Sequence, residues 1–315
     1  MMVCEKSSGR VKIKDLRRLM ASTASAQTFL ENFRPPHPRE AWNPPVCATA
    51  LIHTKLGVLT GKEDGGSSKQ SAVSKLYEAA KLNADFDAAT KLIDIVWRNV
   101  VLDELVSLVL SGGVRPIIAF PHPGFDDDDA IDHDAGSRVS SKNAIPFAYA
   151  ARLRIALNGL ENTSIKQASR VGRTKLHRFP RFLYQPSFVG AVDTDRPYIL
   201  VDDTLTLGGT LAVMRSHIVR NGGTVIAVSA LAHSLGQNIA FAQRQVTHNS
   251  LLELYGSELV DFWRGEIGHE PIRLTDAEAR FLCEWAAAVP ERTRGSAALL
   301  LALRTRLDRA RAMCR

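Results

Sequence analysis

The sequence predicts an α/β protein: a parallel sheet flanked by helices, with an N-terminal extension before it and a helical extension after it. Three observations carry this reading. Short apolar runs at Val114 to Phe120, Tyr198 to Val201 and Thr224 to Leu231 have the continuous apolarity of strands covered on both faces. Helical patterns separate them, such as Leu211, Val213, Met214 and Ile218. Glycine and asparagine turns, Gly112-Gly113 and Asn221-Gly222-Gly223, punctuate the alternation. Strands alternating with helices build a sheet that buries one helix layer on each face.

In chain order, residues 1 to about 70 read as loosely organised. Pro35-Pro36-His37-Pro38 and Asn43-Pro44-Pro45 mark irregular connections, Ala48 to His53 suits a strand, and Gly61 to Ser68 suits a loop. Ser71 to Ala80 and Ala84 to Leu110 read as helices, the second closed by Gly112-Gly113. The strand Val114 to Phe120 follows. Tyr198 to Val201, a helix over Thr210 to Arg220, the glycine turn and Thr224 to Leu231 form a βαβ unit. Beyond Leu231 the chain reads as helical. Thr275 and Glu278 make a capping box for a helix over Asp276 to Ala287, and Ser296 to Met313 is a last amphipathic helix. The organisation expected is an N-terminal extension over 1–85, a core over 86–235 and a C-terminal helical extension over 236–315.

Composition narrows the class. Hydrophobic residues make up 45% and charged residues 23% of 315, ordinary for a globular protein. The most apolar stretch, Leu92 to Leu110, is interrupted by Asp94, Arg98, Asp103 and Glu104, so no membrane partner is expected. Cys4, Cys47, Cys283 and Cys314 lie far apart with no metal spacing, which fits a cytoplasmic chain. A net charge of +7 favours anionic ligands and permits nucleic-acid contact.

The most informative segment is Tyr198 to Thr210. An apolar strand ends in Asp202 and Asp203, and the loop Thr204-Leu205-Thr206-Leu207-Gly208-Gly209-Thr210 leads into a helix. Backbone N–H groups at a glycine-rich helix start suit an anion, and an acid pair beside it suits sugar hydroxyls or a cation. The segment resembles the phosphoribosyl pyrophosphate (PRPP) motif of type I phosphoribosyltransferases. The resemblance implies that Asp202 and Asp203 contact the ribose and, through PRPP, a metal ion. Thr204, Thr206, Leu207, Gly208, Gly209 and Thr210 would then hold the 5′-phosphate. Leu207 departs from the family, which usually has a small residue there.

Ser141-Lys142-Asn143, ahead of a helix of small residues, is similar to the pyrophosphate loop of orotate phosphoribosyltransferases. Lys142 would supply a point charge, with Ser141 and Asn143 beside it; the alternative is a capped surface helix with a solvated lysine. The basic span Ile165 to Arg178, with Arg170, Arg173, Lys175 and His177, suits a mobile hood over PRPP. Phe179, Phe182 and Tyr184 interleave with Arg178 and Arg181. They are either base-stacking groups or core residues. Between strand and loop, Asp126 to Asp134 packs six carboxylates and a histidine into nine residues, a solvated acidic loop or a Mg²⁺ or Ca²⁺ site.

The resemblance implies a transferase of nucleotide metabolism: a phosphoribosyltransferase moving 5-phosphoribosyl from PRPP to a nitrogenous base, with Mg²⁺ and release of pyrophosphate. Asp202, Asp203 and Lys142 would carry the catalytic positioning, and a homodimer is the common state in the family. The alternative is a PRPP-sensing regulatory or nucleic-acid-binding module on the same fold without catalysis. No helix-turn-helix pattern accompanies it.

Overall fold

The computed structural model describes residues 39–42, 48–62, 71–122, 143–162, 164–168, 177–290 and 295–312. Its first strand, β1 (Thr49–Lys55), runs directly into a one-turn helix, α1 (Leu56–Thr60), which ends at Gly61 in the left-handed region. Ser71 caps α2 (Ala72–Leu82), its hydroxyl accepting from the Ser74 N–H at 3.1 Å, and Asp85 caps α3 (Phe86–Val96) in the same way. Such caps satisfy N–H groups that have no partner inside the helix.

The single helix expected over Ala84 to Leu110 is two, α3 and α4 (Asn99–Gly112), separated by extended Trp97 and Arg98. The break has a local cause. The Arg98 N–H donates to His53 Nδ1 at 2.9 Å, and the Trp97 ring packs on His53 with centroids 4.8 Å apart. A buried strand residue therefore takes the hydrogen bond that would have continued the helix. Gly113 closes α4 in the left-handed region, as its sequence suggested.

Strand β2 (Ile117–Ala119) is shorter than its apolar run, since Pro116 has no N–H to give to a ladder. After it come α5 (Ile145–Ala156), the short strands β3 (Leu160–Glu161) and β4 (Lys166–Gln167), α6 (Pro180–Leu183) and β5 (Phe188–Val189). The βαβ unit is β6 (Pro197–Thr204), α7 (Gly209–Arg220) and β7 (Thr224–His233). A short β8 (Ile239–Ala240) leads to the helices α8 (Gln245–Tyr255), α9 (Leu259–Ile267), α10 (Asp276–Ala288) and α11 (Ser296–Ala312). The capping box at Thr275 and Glu278 is present at the start of α10.

The main sheet has the order β3-β2-β6-β7-β1-β8. All its pairings are parallel except β1 with β8 at one edge, so the sheet is mixed and mostly parallel. Residues 49–82, which the sequence placed in an extension, thus supply a sheet strand and flanking helices. Alternation along β6 divides the core. Ile199 and Val201 face the cluster built with α2, α3 and α5, while Tyr198 and Leu200 face Leu211, Met214 and Ile218 of α7. A third cluster joins α8 to α11 around the fully buried Trp263. Phe179 and Phe182 belong to it, and Tyr184 is buried too, so these aromatics are core residues rather than a base-stacking surface.

Candidate functional site

Successive residues of a strand point to opposite faces, so Asp202 and Asp203 leave the end of β6 on different sides, and their carboxyl groups meet again through a hydrogen bond. Asp203 lies on the Ile199/Val201 side and is buried; Asp202 lies on the α7 side and is partly exposed. Asp203 Oδ2 is ion-paired with Lys81 Nζ and accepts from Asn143 Nδ2 at 2.9 Å. Its Oδ1 accepts from the Thr204 hydroxyl at 3.2 Å. Asp202 instead turns back, its Oδ1 accepting from the Asp203 N–H at 2.8 Å.

The partners arrive from separate elements. Lys81 occupies the last turn of α2, where the free carbonyl end of the helix favours a cation. Asn143 precedes α5, its Oδ1 accepting from the Ile145 N–H at 3.2 Å. The Ala144 N–H donates to the Ala80 carbonyl at 2.9 Å, which ties the two segments together beside Asp203. Burial alone would push the Asp203 carboxyl up, but the Lys81 charge, its hydrogen bond and that of Asn143 outweigh this and hold it below the usual carboxylate range. Lys81 is likewise opposed by burial, yet the Asp203 charge raises it above an ordinary lysine. Asp202 moves the other way, raised by burial and then by the neighbouring Asp203 charge. The result is an ionised Asp203–Lys81 pair beside a carboxyl that holds its proton more tightly.

This donor set does not fit a protein-held Mg²⁺. Such an ion needs several oxygens in a tight octahedron. Here the two carboxylates are hydrogen-bonded to each other and one is already neutralised by an ammonium. Among the described residues no group of three or more His, Cys, Asp or Glu converges in a way that could hold a metal ion.

The loop after β6 is built by packing against the C-terminal helices. The Leu205 N–H donates to the Ala232 carbonyl at 2.9 Å, and the Thr275 hydroxyl donates to the Leu207 carbonyl. Gly208 caps α7 with φ 76°, and a Cβ there would lie 2.9 Å from the Phe241 ring. A Cβ on Gly209 would lie 2.5 Å from Glu278 Oε1 and 3.0 Å from Arg39 Nη2. Both glycines are therefore required by close approach of a neighbouring element, in addition to whatever their N–H groups bind. Leu207 is buried, which accounts for a large residue at the position where the family motif has a small one. Thr206 is exposed and Thr210 half-buried.

Behind the loop, Arg39 and Glu278 form a bidentate ion pair with side chains only 3% and 2% exposed. Arg39 Nη2 also donates to Gln185 Oε1 at 2.7 Å. Trp42 Nε1 donates to the Leu274 carbonyl at 2.8 Å, and the Glu40 N–H to the Ser216 hydroxyl at 2.9 Å. Residues 39–42 thus strap α7 to the start of α10. On the other side of the loop a cavity of about 610 Å³ opens beyond the carboxyl ends of β6, β7 and β1, bounded by Thr204 to Leu207, by residues 232–240 and by α10. This is where open parallel sheets usually place ligands.

Of the residues singled out from sequence, Asp203 and Asn143 come together, and Asp202 and the loop adjoin them. His177 is exposed. Ser141, Lys142, Arg170, Arg173, Lys175 and the acidic stretch Asp126 to Asp134 lie outside the described residues. Lys81 and Arg39 escaped the sequence reading. Lys81 falls one residue past a predicted helix end, and Arg39 sits among prolines that read as an irregular connection.

These features define an α/β protein with a buried, lysine-neutralised aspartate and a helix-capping glycine loop at the carboxyl edge of its sheet. No family model matches the chain. Over 210 residues, 65% of its length, it is 32% identical to Protein TraN of Escherichia coli, of which it covers 42%. Over 170 residues it is 29% identical to an uncharacterized protein of Haemophilus influenzae, covering 54% of this chain and 32% of that one. The chain spans less than half the length of the curated relatives it matches. The similarity to TraN overturns the expectation of a phosphoribosyltransferase in nucleotide metabolism, since neither relative bears such a description. The glycines of the Asp202 to Thr210 motif also have a packing role against Phe241, α10 and Arg39, so the motif by itself does not specify that family.

No helix among the described residues is long and apolar enough to cross a membrane.

Proposed function

We propose that the chain is a conjugation-related protein whose α/β core is a binding module for a small hydroxylated, phosphorylated ligand. The similarity to TraN supports the first part. The second rests on one observation: Asp203, Lys81 and Asn143 converge from β6, α2 and the start of α5 at the carboxyl edge of the sheet. An ionised aspartate accepts from hydroxyls, the ammonium donates to a phosphate or hydroxyl oxygen, and the α7 N-terminus favours an anion. The finer fold, a phosphoribosyltransferase-like core used as a binding scaffold, belongs to the same proposal. It is supported by the parallel β2-β6-β7 centre and by the acid-ended β6 feeding a glycine loop and α7.

Two measurements test this reading. In a conjugative donor lacking the gene, the wild-type chain restores transfer and Asp203→Asn does not; transfer that is indifferent to the deletion refutes the conjugation-related role. In calorimetric titration with ribose 5-phosphate, Asp203→Asn weakens binding at least about tenfold, the effect of one charge-assisted hydrogen bond. Asp203→Asn leaves Lys81 without its partner, so the double variant Lys81→Met/Asp203→Asn is titrated beside it, with thermal melting to show that both remain folded. Unchanged ribose 5-phosphate affinity in folded variants removes Asp203 from the site.

A further inference from the structure

The cavity beyond β6 and β7 is lined by cations from three separated parts of the chain. Arg178 precedes α6, Arg244 caps α8, and Arg280 projects from the second turn of α10. His233, the last residue of β7, joins them. Asp276 and Glu284 border the cavity as well, but Asp276 is committed elsewhere. Asp276 is buried, pairs with Arg244 at 3.0 Å, and accepts from the Thr247 hydroxyl at 2.6 Å and the Arg244 N–H at 3.2 Å. These contacts fill its lone pairs and fix the start of α8. Arg280 touches Glu284 only at 3.7 Å, within an exposed i,i+4 pair of little strength. The Arg178 guanidinium stacks over the Phe281 ring, 5.2 Å from its centre, an arrangement that orients the fork and leaves its N–H edge free of competition from the ring. The His233 Nδ1 accepts from the Leu235 N–H at 3.1 Å, so in the neutral ring Nε2 carries the proton and is a donor.

We propose that this cavity is an anion site for a small phosphomonoester, held by Arg178 and Arg280 with His233 as a neutral donor. Its volume of about 610 Å³ suits a ligand of sugar-phosphate to nucleotide size. Planar guanidinium forks match phosphate oxygens two at a time. Burial, and then the Arg280 charge, push His233 below an ordinary histidine, which keeps the ring neutral as the assignment needs. The site is built mainly from β7, β8 and α10, without Lys81, Asn143 or Asp203 in its lining, and does not depend on the Asp203 reading.

Inorganic phosphate and ribose 5-phosphate, titrated into the full chain at low ionic strength, test it. Phosphate is expected to bind and to protect against thermal unfolding, with affinity falling on added salt. Arg178→Gln and Arg280→Gln each weaken phosphate binding about tenfold, and together more, while the melting temperature without ligand stays near that of the parent. Lys91→Gln, on the exposed face of α3 and away from the cavity, leaves phosphate affinity unchanged. The inference is overturned if phosphate and ribose 5-phosphate both fail to bind. It is equally overturned if phosphate affinity survives both arginine substitutions but is lost in Asp203→Asn, because the anion then sits at the α7 N-terminus. Loss in the arginine variants with no effect of Asp203→Asn on either ligand keeps the cavity site and removes the Asp203 reading instead.

Discussion

Arg39→Met lowers the free energy of unfolding by about 3–5 kcal/mol, the cost of leaving a buried charge without its partner. Denaturant titration at neutral pH measures it. The magnitude follows from the burial of Glu278, whose side chain is 2% exposed and whose charge Arg39 neutralises through two hydrogen bonds. Burial resists ionisation of Glu278, and the Arg39 guanidinium overcomes this and holds the carboxyl below its usual range, helped by the Thr275 N–H of the capping box. Without Arg39 the carboxylate must either stay charged in an apolar site or take up a proton, and both outcomes cost stability. Arg39→Met/Glu278→Gln therefore recovers part of the loss, because the amide keeps the shape without the charge. A double variant no more stable than Arg39→Met alone would show that the strap acts through Gln185 and packing, and that the ion pair contributes little. The functional consequence is local. Gly209 sits against this pair, so the same substitution loosens the start of α7 and, in the titrations above, weakens whatever the loop holds.

Particular residues show what the sequence made legible and why the rest was hidden. Local signals translated well. The capping box at Thr275, the glycine stop at Gly113 and the β6–α7–β7 unit depend on neighbours within a few positions, and each appears where its residues place it. Long-range pairing did not translate. Strand β1 was visible as an apolar run at Ala48 to His53, but its place beside β7 is set by packing across almost two hundred residues of chain and leaves no local mark. The break between α3 and α4 is another such case, since the cause is His53, a residue of β1. At the site, Asp203 was conspicuous because two acids follow four apolar residues. Lys81 was not, because a lysine at the end of an amphipathic helix is ordinary until the fold brings it to Asp203. The glycines had the opposite failing. Their pattern invited a ligand-based explanation, and a packing requirement from Glu278, Arg39 and Phe241 produces the same residues. Composition, by contrast, could say that the chain favours anions but not that Arg178, Arg244 and Arg280 share one cavity.

Stability falls steeply on acidification between pH 6.5 and about pH 4, before most carboxylates titrate. The two most strongly shifted histidines among the described residues contribute most to it, with smaller downward shifts at His122, His233 and His248 adding in the same direction. His53 is fully buried and its pKa is pushed down to about 4, by burial first and then by the Arg98 and Arg152 charges. His269 is pushed down to about 3, by burial and then by Arg39. In the unfolded chain each returns to the ordinary histidine value of 6.5. Between the folded and unfolded values the unfolded chain binds more protons, so unfolding is favoured as pH drops. The stabilisation is complete above pH 6.5 and is lost as pH falls through the folded values; for His53 alone it amounts to about 3 kcal/mol. The hydrogen bonds explain why the proton is refused. His53 Nδ1 already accepts from the Arg98 N–H, so its proton lies on Nε2, which donates to the Tyr149 hydroxyl at 3.0 Å. That hydroxyl in turn donates to Ser229 Oγ at 2.7 Å, and Ser229 donates to the Leu51 carbonyl at 2.8 Å. A second proton on His53 would set two donors against each other at Nδ1 and strand a charge in the core. Melting curves from pH 7.5 down to about pH 4, run on the parent and on His53→Gln, read the effect as a slope. The variant, though less stable at neutral pH, should lose about one proton's worth of that slope. A parent and variant with parallel pH profiles would place the titrating group elsewhere, with His269 the next to replace.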